Sequence, residues 1–362
     1  MNFASDNVAG ASGPVLEALV RANEGPSPAY GADPLTLEVE RRLGSIFERE
    51  VSVFLVTTGT AANALAIAAA VPPWGLCLCH EESHLVDDEC GAPEFYTHGA
   101  KLVGLPGTGG KLKADQVEAY LAGRPKGVKQ MPPCALSISQ VTEAGLVYSL
   151  DEIAALADLG RRHGTAVHMD GARFANALVA LGTTPAEMTW KRGIDILSFG
   201  ATKNGCLMAE AIVVFDKALA ETLAYRRKRA GQTVSKGRLL AAQFLGYLAE
   251  DHWLANARHA NAMAARLAGG LGRIPGVRFA WPCEANEVFS IIPRTVDDAL
   301  KAAEIIYHPW TTGSLLSGER IGADEVLIRL VASFATRQDE VDRFLAVASG
   351  SPQSAAKTSA IA

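Results

Sequence analysis

The feature that most restricts the fold is a succession of short apolar, β-rich runs alternating with helical stretches. Two of these runs end in charged residues 33 positions apart. Val51–Val56, Gly75–Cys79, Ser137–Val141, Ala166–Asp170, Ile194–Phe199 and Ala211–Phe215 read as strands, with Ala61–Val71 and Ser149–Arg162 as helices between them. Apolar runs joined through helices predict an α/β fold, a three-layer α/β/α arrangement around a mostly parallel sheet covered on both faces. In such a sheet ligands bind beyond the carboxyl ends of the strands. Asp170, in Val167-His168-Met169-Asp170-Gly171-Ala172-Arg173, and Lys203, in Gly200-Ala201-Thr202-Lys203-Asn204, both fall there.

The rest of the chain predicts a second unit. Leu37–Phe47 has helical spacing after a turn at Tyr30-Gly31-Ala32-Asp33-Pro34, and the arm before that turn reads as loop-rich. Leu239–Leu271 predicts a long helical tract broken near Asp251. Strands at Val277–Ala280, Val288–Ile292 and Val326–Phe334, with a helix at Val296–Glu304, then predict a small α+β domain. The expected division is an arm and helix at 1–45, a large domain at 46–250, a small one at 251–350 and a frayed tail at 351–362. At 49% hydrophobic and 20% charged residues the 362-residue chain suits a globular enzyme. A formal charge of −5 gives no basic face for nucleic acid. Arg226-Arg227-Lys228-Arg229 is the local exception, read as a solvated helix face from which an arginine could reach a phosphate. The polar start lacks a secretory pattern, and the longest apolar stretch, Ala61–Val71, is too short for a membrane span, so a cytoplasmic location is expected. The six cysteines read as free thiols.

A carboxylate and a lysine on neighbouring buried strand ends can hold pyridoxal phosphate, the lysine as Schiff base and the acid against the pyridine nitrogen. Thr57-Thr58-Gly59-Thr60-Ala61-Ala62-Asn63 opens a helix directly after a strand, so free backbone N–H groups at Gly59 and Thr60 form a phosphate seat. Arg173 could fix a cofactor oxygen or a substrate carboxylate; its plainer reading is a salt bridge. Arg329 lies inside an apolar strand, where a substrate carboxylate is a natural bidentate partner and a buried structural ion pair the alternative.

His80-Glu81-Glu82-Ser83-His84 matches the H-E-x-x-H zinc pattern, which works only on a helix. Because it follows a strand directly, the favoured reading makes His84 an imidazole stacked over the cofactor ring and handling protons. Asp88, four residues on, would orient it if the stretch is helical. No metal is expected.

These residues resemble the threonine aldolase family, aspartate aminotransferase-like (fold type I) pyridoxal-phosphate enzymes close to the β-eliminating lyases. The resemblance runs through Phe3-Ala4-Ser5-Asp6-Asn7, Tyr30–Pro34, Thr58–Asn63, His84, His168–Arg173, Thr202-Lys203 and Arg329, and Glu89–Phe95 is similar to the bacterial low-specificity branch. It implies cleavage of threonine, allo-threonine or a related L-β-hydroxy-α-amino acid to glycine and an aldehyde. It also implies that Lys203 carries pyridoxal 5′-phosphate, Asp170 meets its ring nitrogen, Gly59 and Thr60 bind phosphate and His84 stacks. Ser5, Arg173 and Arg329 would hold the substrate carboxylate and cofactor oxygens. It further implies a homotetramer in which Tyr30 and Arg229 are lent to a neighbouring site. Two departures stand out. Gln140 occupies the position of a second active-site histidine, facing the substrate, and Asn204 replaces the glycine that often follows the lysine. Other reactions on the same scaffold (β-elimination, transamination, racemisation), a non-catalytic vitamer-binding role, and zinc hydrolysis by His80, Glu81 and His84 are the alternatives.

Overall fold

The computed structural model describes residues 1–125, 127–311, 313, 315 and 319–350; the expected frayed tail, 351–362, lies outside the described residues. Seven strands form the main sheet: β1 (Ser52–Val56), β2 (Leu76–His80), β3 (Lys101–Leu105), β4 (Pro133–Ser139), β5 (Ala166–Gly171), β6 (Ile196–Gly200) and β7 (Glu210–Val214). Their order is β1-β7-β6-β5-β4-β2-β3. β7 alone runs antiparallel to its neighbours β1 and β6, and the other pairings are parallel. One edge of the sheet therefore carries the carboxyl ends of six strands and the amino end of β7. Register across that edge aligns Ser139 with Asp170 and Asp170 with Ser198, and sets Glu210 between Gly200 and Val56.

The helix Gly59–Ala70, starting two residues after β1, is buried along most of its length. Thr58 caps it by accepting the Ala61 N–H at 3.1 Å, while Gly59 and Thr60 keep their own N–H groups free of acceptors among the described residues. Helix Leu150–His163 covers part of the sheet and is closed by a capping box between Ser149 and Glu152. The expected long tract is two helices, Arg238–Leu248 and His252–Leu271. Glu250 and Asp251 between them take left-handed backbone angles, which an uninterrupted helix cannot contain. The arm is less loop-like than expected: Gly13–Ala22 is a helix, started by Pro14 in its first turn and packed on Arg238–Leu248.

Phe199 sits in the main core among Phe47, Phe174, Phe244, Tyr247 and Trp253, with ring centroids 5.2–6.3 Å apart. Each such fully buried ring stabilises the fold by about 2–3 kcal/mol. A second, antiparallel sheet has the order β10-β11-β9-β8, from β8 (Arg278–Phe279), β9 (Glu287–Pro293), β10 (His308–Pro309) and β11 (Glu325–Val331). β11 ends at Val331 rather than Phe334, because Ala332 N–H turns to the Asn286 carbonyl and a Ser333–Thr336 turn follows. The amino-terminal residues are stitched to this second unit, Phe3 N–H to the Ile306 carbonyl and Val331 N–H to the Phe3 carbonyl, both at 2.8 Å. That stitching carries the short Asp6–Val8 turn to the site, where Asn7 lines the cavity. No helix among the described residues is long and apolar enough to cross a membrane.

Candidate active site

A cavity of about 280 Å³ opens at the active edge of the main sheet. Strand ends and helix starts bring Thr57, Thr58, Gly59, Thr60, Asn63, His84, Asp170, Ser198, Lys203 and Glu210 to its wall. Of the expected residues, Lys203, Asp170, Gly59, Thr60 and His84 thus converge.

Lys203 rides on the short turn Thr202–Asn204, directly after β6. Its ammonium has no hydrogen bond or ion pair with another described residue. The turn itself is tightly held: Asn204 donates to the Tyr247 hydroxyl and the Trp253 carbonyl, and Asn256 donates to the Asn204 carbonyl, each at 2.8 Å. The side chain that replaces the usual glycine therefore anchors the lysine turn to the aromatic core. At Gly200 a Cβ would lie 2.6 Å from the Ala172 carbonyl oxygen, so only glycine lets the two strand ends pass this closely.

Asp170 accepts from the Ala172 N–H at 2.9 Å and from Asn63 Nδ2 at 2.8 Å. Below it, His168 is fully buried between the Ser137 and Ser198 hydroxyls at 2.8 and 3.0 Å. Burial pushes its ring down to about 4, so it is neutral.

His84 begins the four-residue helix His84–Asp87, and its partner is Glu89 rather than Asp88: Nδ1 meets Glu89 Oε1 at 2.9 Å. The helix ends before it can bring the fourth residue beneath the ring, and exposed Asp88 closes the last turn with its N–H. The hydrogen bond to Glu89, with the charges of Asp170 and Glu89, holds the imidazole above its ordinary value against burial and Lys203. Burial pushes Glu89 up as well, held back by His84 and Asn63. The His84 side chain keeps 37% exposure while the Glu89 side chain has none.

Not every expected residue reaches this chain's cavity. Gln140 does not face the cavity: it is fully buried, donating to the Tyr148 carbonyl and accepting the Tyr148 N–H, both at 2.9 Å. Arg173 is committed to protein carboxylates, to Asp6 through two hydrogen bonds at 2.8 and 3.1 Å and to Glu287 at 3.3 Å. Ser5 Oγ caps the turn after it by accepting the Asn7 N–H. Arg329 donates to the Ala4 carbonyl and lies 4.4 Å over the Trp310 ring, with buried Nε unpartnered among the described residues; burial lowers its pKa. Tyr30 and Arg229 are exposed and outside this chain's cavity; Tyr30 instead carries the Lys228 ammonium over its ring. The zinc pattern fails on geometry. His80 closes β2 with Nδ1 accepting the Glu82 N–H, whereas His84 opens the next helix, so the imidazoles share no helical face. No group of three or more metal-ligating side chains is found among the described residues.

Three acids and an amide were missed. Asn63 is the polar residue in an otherwise apolar helix stretch, a signal present in the sequence. Glu210 immediately precedes an apolar run; it accepts the Ala201 N–H at 2.7 Å and is pushed by burial up to about 7. Glu143, also pushed by burial to about 7, accepts the His84 N–H and the Ser139 hydroxyl. Glu89 lay one residue beyond the expected partner.

An acid and a lysine after adjacent central strands, in a parallel sheet with one reversed member, define the aspartate aminotransferase-like, fold type I class. Residues 2–293 match the beta-eliminating lyase family. A low specificity L-threonine aldolase from Pseudomonas sp. (strain NCIMB 10558) is 42% identical over 83% of this chain and 86% of its own. A threonine aldolase structure from Leishmania major superposes with a TM-score of 0.88 at 29% identity, covering 96% of this chain and 98% of that one. An aspartate aminotransferase from Thermotoga maritima, 15% identical, shares the fold at a TM-score of 0.67 over 97% of this chain and 91% of its own. The chain belongs to the beta-eliminating lyase family and groups within it with the low-specificity L-threonine aldolases.

Proposed function

We propose that the protein uses pyridoxal 5′-phosphate to cleave L-threonine, L-allo-threonine or related L-β-hydroxy-α-amino acids such as phenylserine into glycine and an aldehyde. The observation that carries this reading is the convergence of Lys203, Asp170, His84, Gly59 and Thr60 on one cavity. The donor set suits the cofactor: acceptor-free N–H groups at a helix start for its phosphate, a carboxylate for its ring nitrogen and an unpaired lysine for its aldehyde. When bound, pyridoxal phosphate supplies an electrophilic carbon and an electron sink for negative charge at Cα.

The chain's own groups do the remainder. Asp170 holds a proton at the ring nitrogen. Arg329, whose buried Nε has no hydrogen-bond partner among the described residues, would hold the substrate carboxylate and so fix how the substituents on Cα are turned. His84 takes the proton of the β-hydroxyl, with Glu89 stabilising the charged imidazole. Gln140, turned into the core, leaves proton handling to that pair. On the same reading Tyr30 and Arg229 serve a neighbouring subunit's site in a homotetramer.

The test is incubation of the loaded protein with L-threonine and L-phenylserine, assaying aldehyde and glycine together beside Lys203→Ala. Equal amounts of both products, lost in the variant, are expected. Ammonia with a keto acid and no aldehyde would replace aldol cleavage by β-elimination.

A further inference from the structure

We propose that Asn63 is a positioning residue that, through a single amide nitrogen, ties the acid facing the cofactor ring nitrogen to the acid that orients His84. This inference rests on the function proposed above. Nδ2 of Asn63 donates to Glu89 Oε1 and to Asp170 Oδ2, each at 2.8 Å, so the two oxygens are no further apart than twice that distance. Glu89 Oε1 also meets His84 Nδ1 at 2.9 Å. A continuous chain, Asp170 to Asn63 to Glu89 to His84, thus runs from the acid at the ring nitrogen to the imidazole above the ring.

The chain is buried along its middle. Asn63 is 2% exposed, and Asn63 Oδ1 and Glu89 Oε2 have no hydrogen-bond partner among the described residues. Two carboxylates this close repel unless a donor stands between them, and both protons of one NH2 group are used for that purpose. An amide gives both hydrogens while adding no charge, which neither a lysine nor a serine at this position can do.

Electrostatics follow the same path. His84 is faced by Glu89 from its own segment, by Asp170 at the end of β5 and by Lys203 after β6. Glu143, from the segment after β4, accepts its backbone N–H. Glu89 is faced by Asp170 and His84. Removing the Asn63 donor leaves the Glu89 anion with one partner fewer, so Glu89 holds its proton more tightly. His84 then loses part of the negative charge that favours its protonated form. The ring pKa therefore falls.

The experiment is a pH titration of the His84 ring by 15N–1H NMR in wild type, Asn63→Ala and Asn63→Leu, the last keeping the branched shape of asparagine with methyl groups in place of the amide oxygen and nitrogen. The His84 signal is assigned by its absence in His84→Asn. A fall on the order of one pH unit is expected in both variants. In a Glu89→Gln background Asn63→Ala should add little, because the link acts through Glu89. An unmoved His84 titration in a folded Asn63 variant, or effects of Asn63→Ala and Glu89→Gln that simply add, would overturn the proposal. The titration is read without cofactor or substrate, so its result stands apart from whether the enzyme performs aldol cleavage. In the loaded protein, the pH midpoint of the visible cofactor band should shift in the same variants. A structural defect alone would lower activity and leave that midpoint in place.

Discussion

Arg173→Met should destabilise the protein by an amount that grows with pH. The guanidinium is 11% exposed and holds two carboxylates that are themselves almost wholly buried, Asp6 at 2% and Glu287 at 0% side-chain exposure. The two charge-assisted hydrogen bonds to Asp6 contribute roughly 1.5–3 kcal/mol each. Methionine's apolar contacts return about 1 kcal/mol, and breaking a buried pair from one side typically costs about 3–5 kcal/mol. The expected loss is therefore about 2–4 kcal/mol at pH 7.5. Its sign with pH follows from the acids left behind. In the wild type burial pushes Asp6 up, but Arg173 and Lys203 outweigh it and hold the carboxyl below its usual value. Asp6 thus stabilises the fold above the unfolded carboxyl range, and that contribution disappears only as pH falls through its depressed value. Burial already pushes Glu287 up against Arg173 and Arg329. Without Arg173 both acids titrate above their unfolded values, so stability is retained at low pH and lost as pH rises through the folded values. The gap should narrow to about 1–2 kcal/mol at pH 5. Urea unfolding of the cofactor-free proteins at pH 5, 6 and 7.5 measures it. A gap below 1 kcal/mol at pH 7.5, or one that does not change with pH, would refute the assignment of Arg173 to the Asp6–Glu287 cluster.

Arg329→Ala should raise KM for the amino acid at least tenfold with a smaller change in kcat, and Trp310→Ala should do the same more weakly by releasing the stacked guanidinium. Steady-state kinetics read both, and a loss confined to kcat would move Arg329 out of substrate binding. Gly200→Ala should displace the Lys203 turn, since its Cβ would lie within 2.9 Å of three Ala172 backbone atoms. Cofactor affinity by absorbance titration should drop by an order of magnitude or more, and an unchanged affinity would show that the strand ends can separate without cost.

The sheet was legible because its strands are short, apolar and bounded by turns. Every strand of the main sheet except β3 was expected from sequence. β3 was missed because Lys101–Leu105 has an exposed start and a glycine, so it carries neither alternation nor a continuous apolar run. The helix Gly13–Ala22 was hidden by the small residues and proline that precede its periodic part, although proline in a first turn is a helix start. At the site, residues fixed by strand ends, Asp170 and Lys203, fell where their position along the chain put them. Residues fixed by loop geometry did not. The choice of Asp88 over Glu89 presumed a full helical turn where only four residues are helical, and Gln140 was placed by correspondence with relatives rather than by the Tyr148 backbone that takes its amide. The commitment of Arg173 to Asp6 joins residues 167 positions apart and leaves no local trace.

The reversed strand β7 has a consequence for how the site is assembled. β6 and β7 are antiparallel neighbours joined only by residues 201–209, so the lysine lies in the loop of a hairpin, with Asn204 tying that loop to Tyr247 and Trp253. The phosphate seat reaches the same place by the opposite route. β1, which carries it, must find β7 across more than half of the first 250 residues, with Val56 opposite Glu210. Contacts of such long range form late in folding, after the local ones. The hairpin that carries the lysine and the strand that carries the phosphate seat therefore become one site only when β1 docks on β7. Capture of the cofactor would report that the first strand has docked.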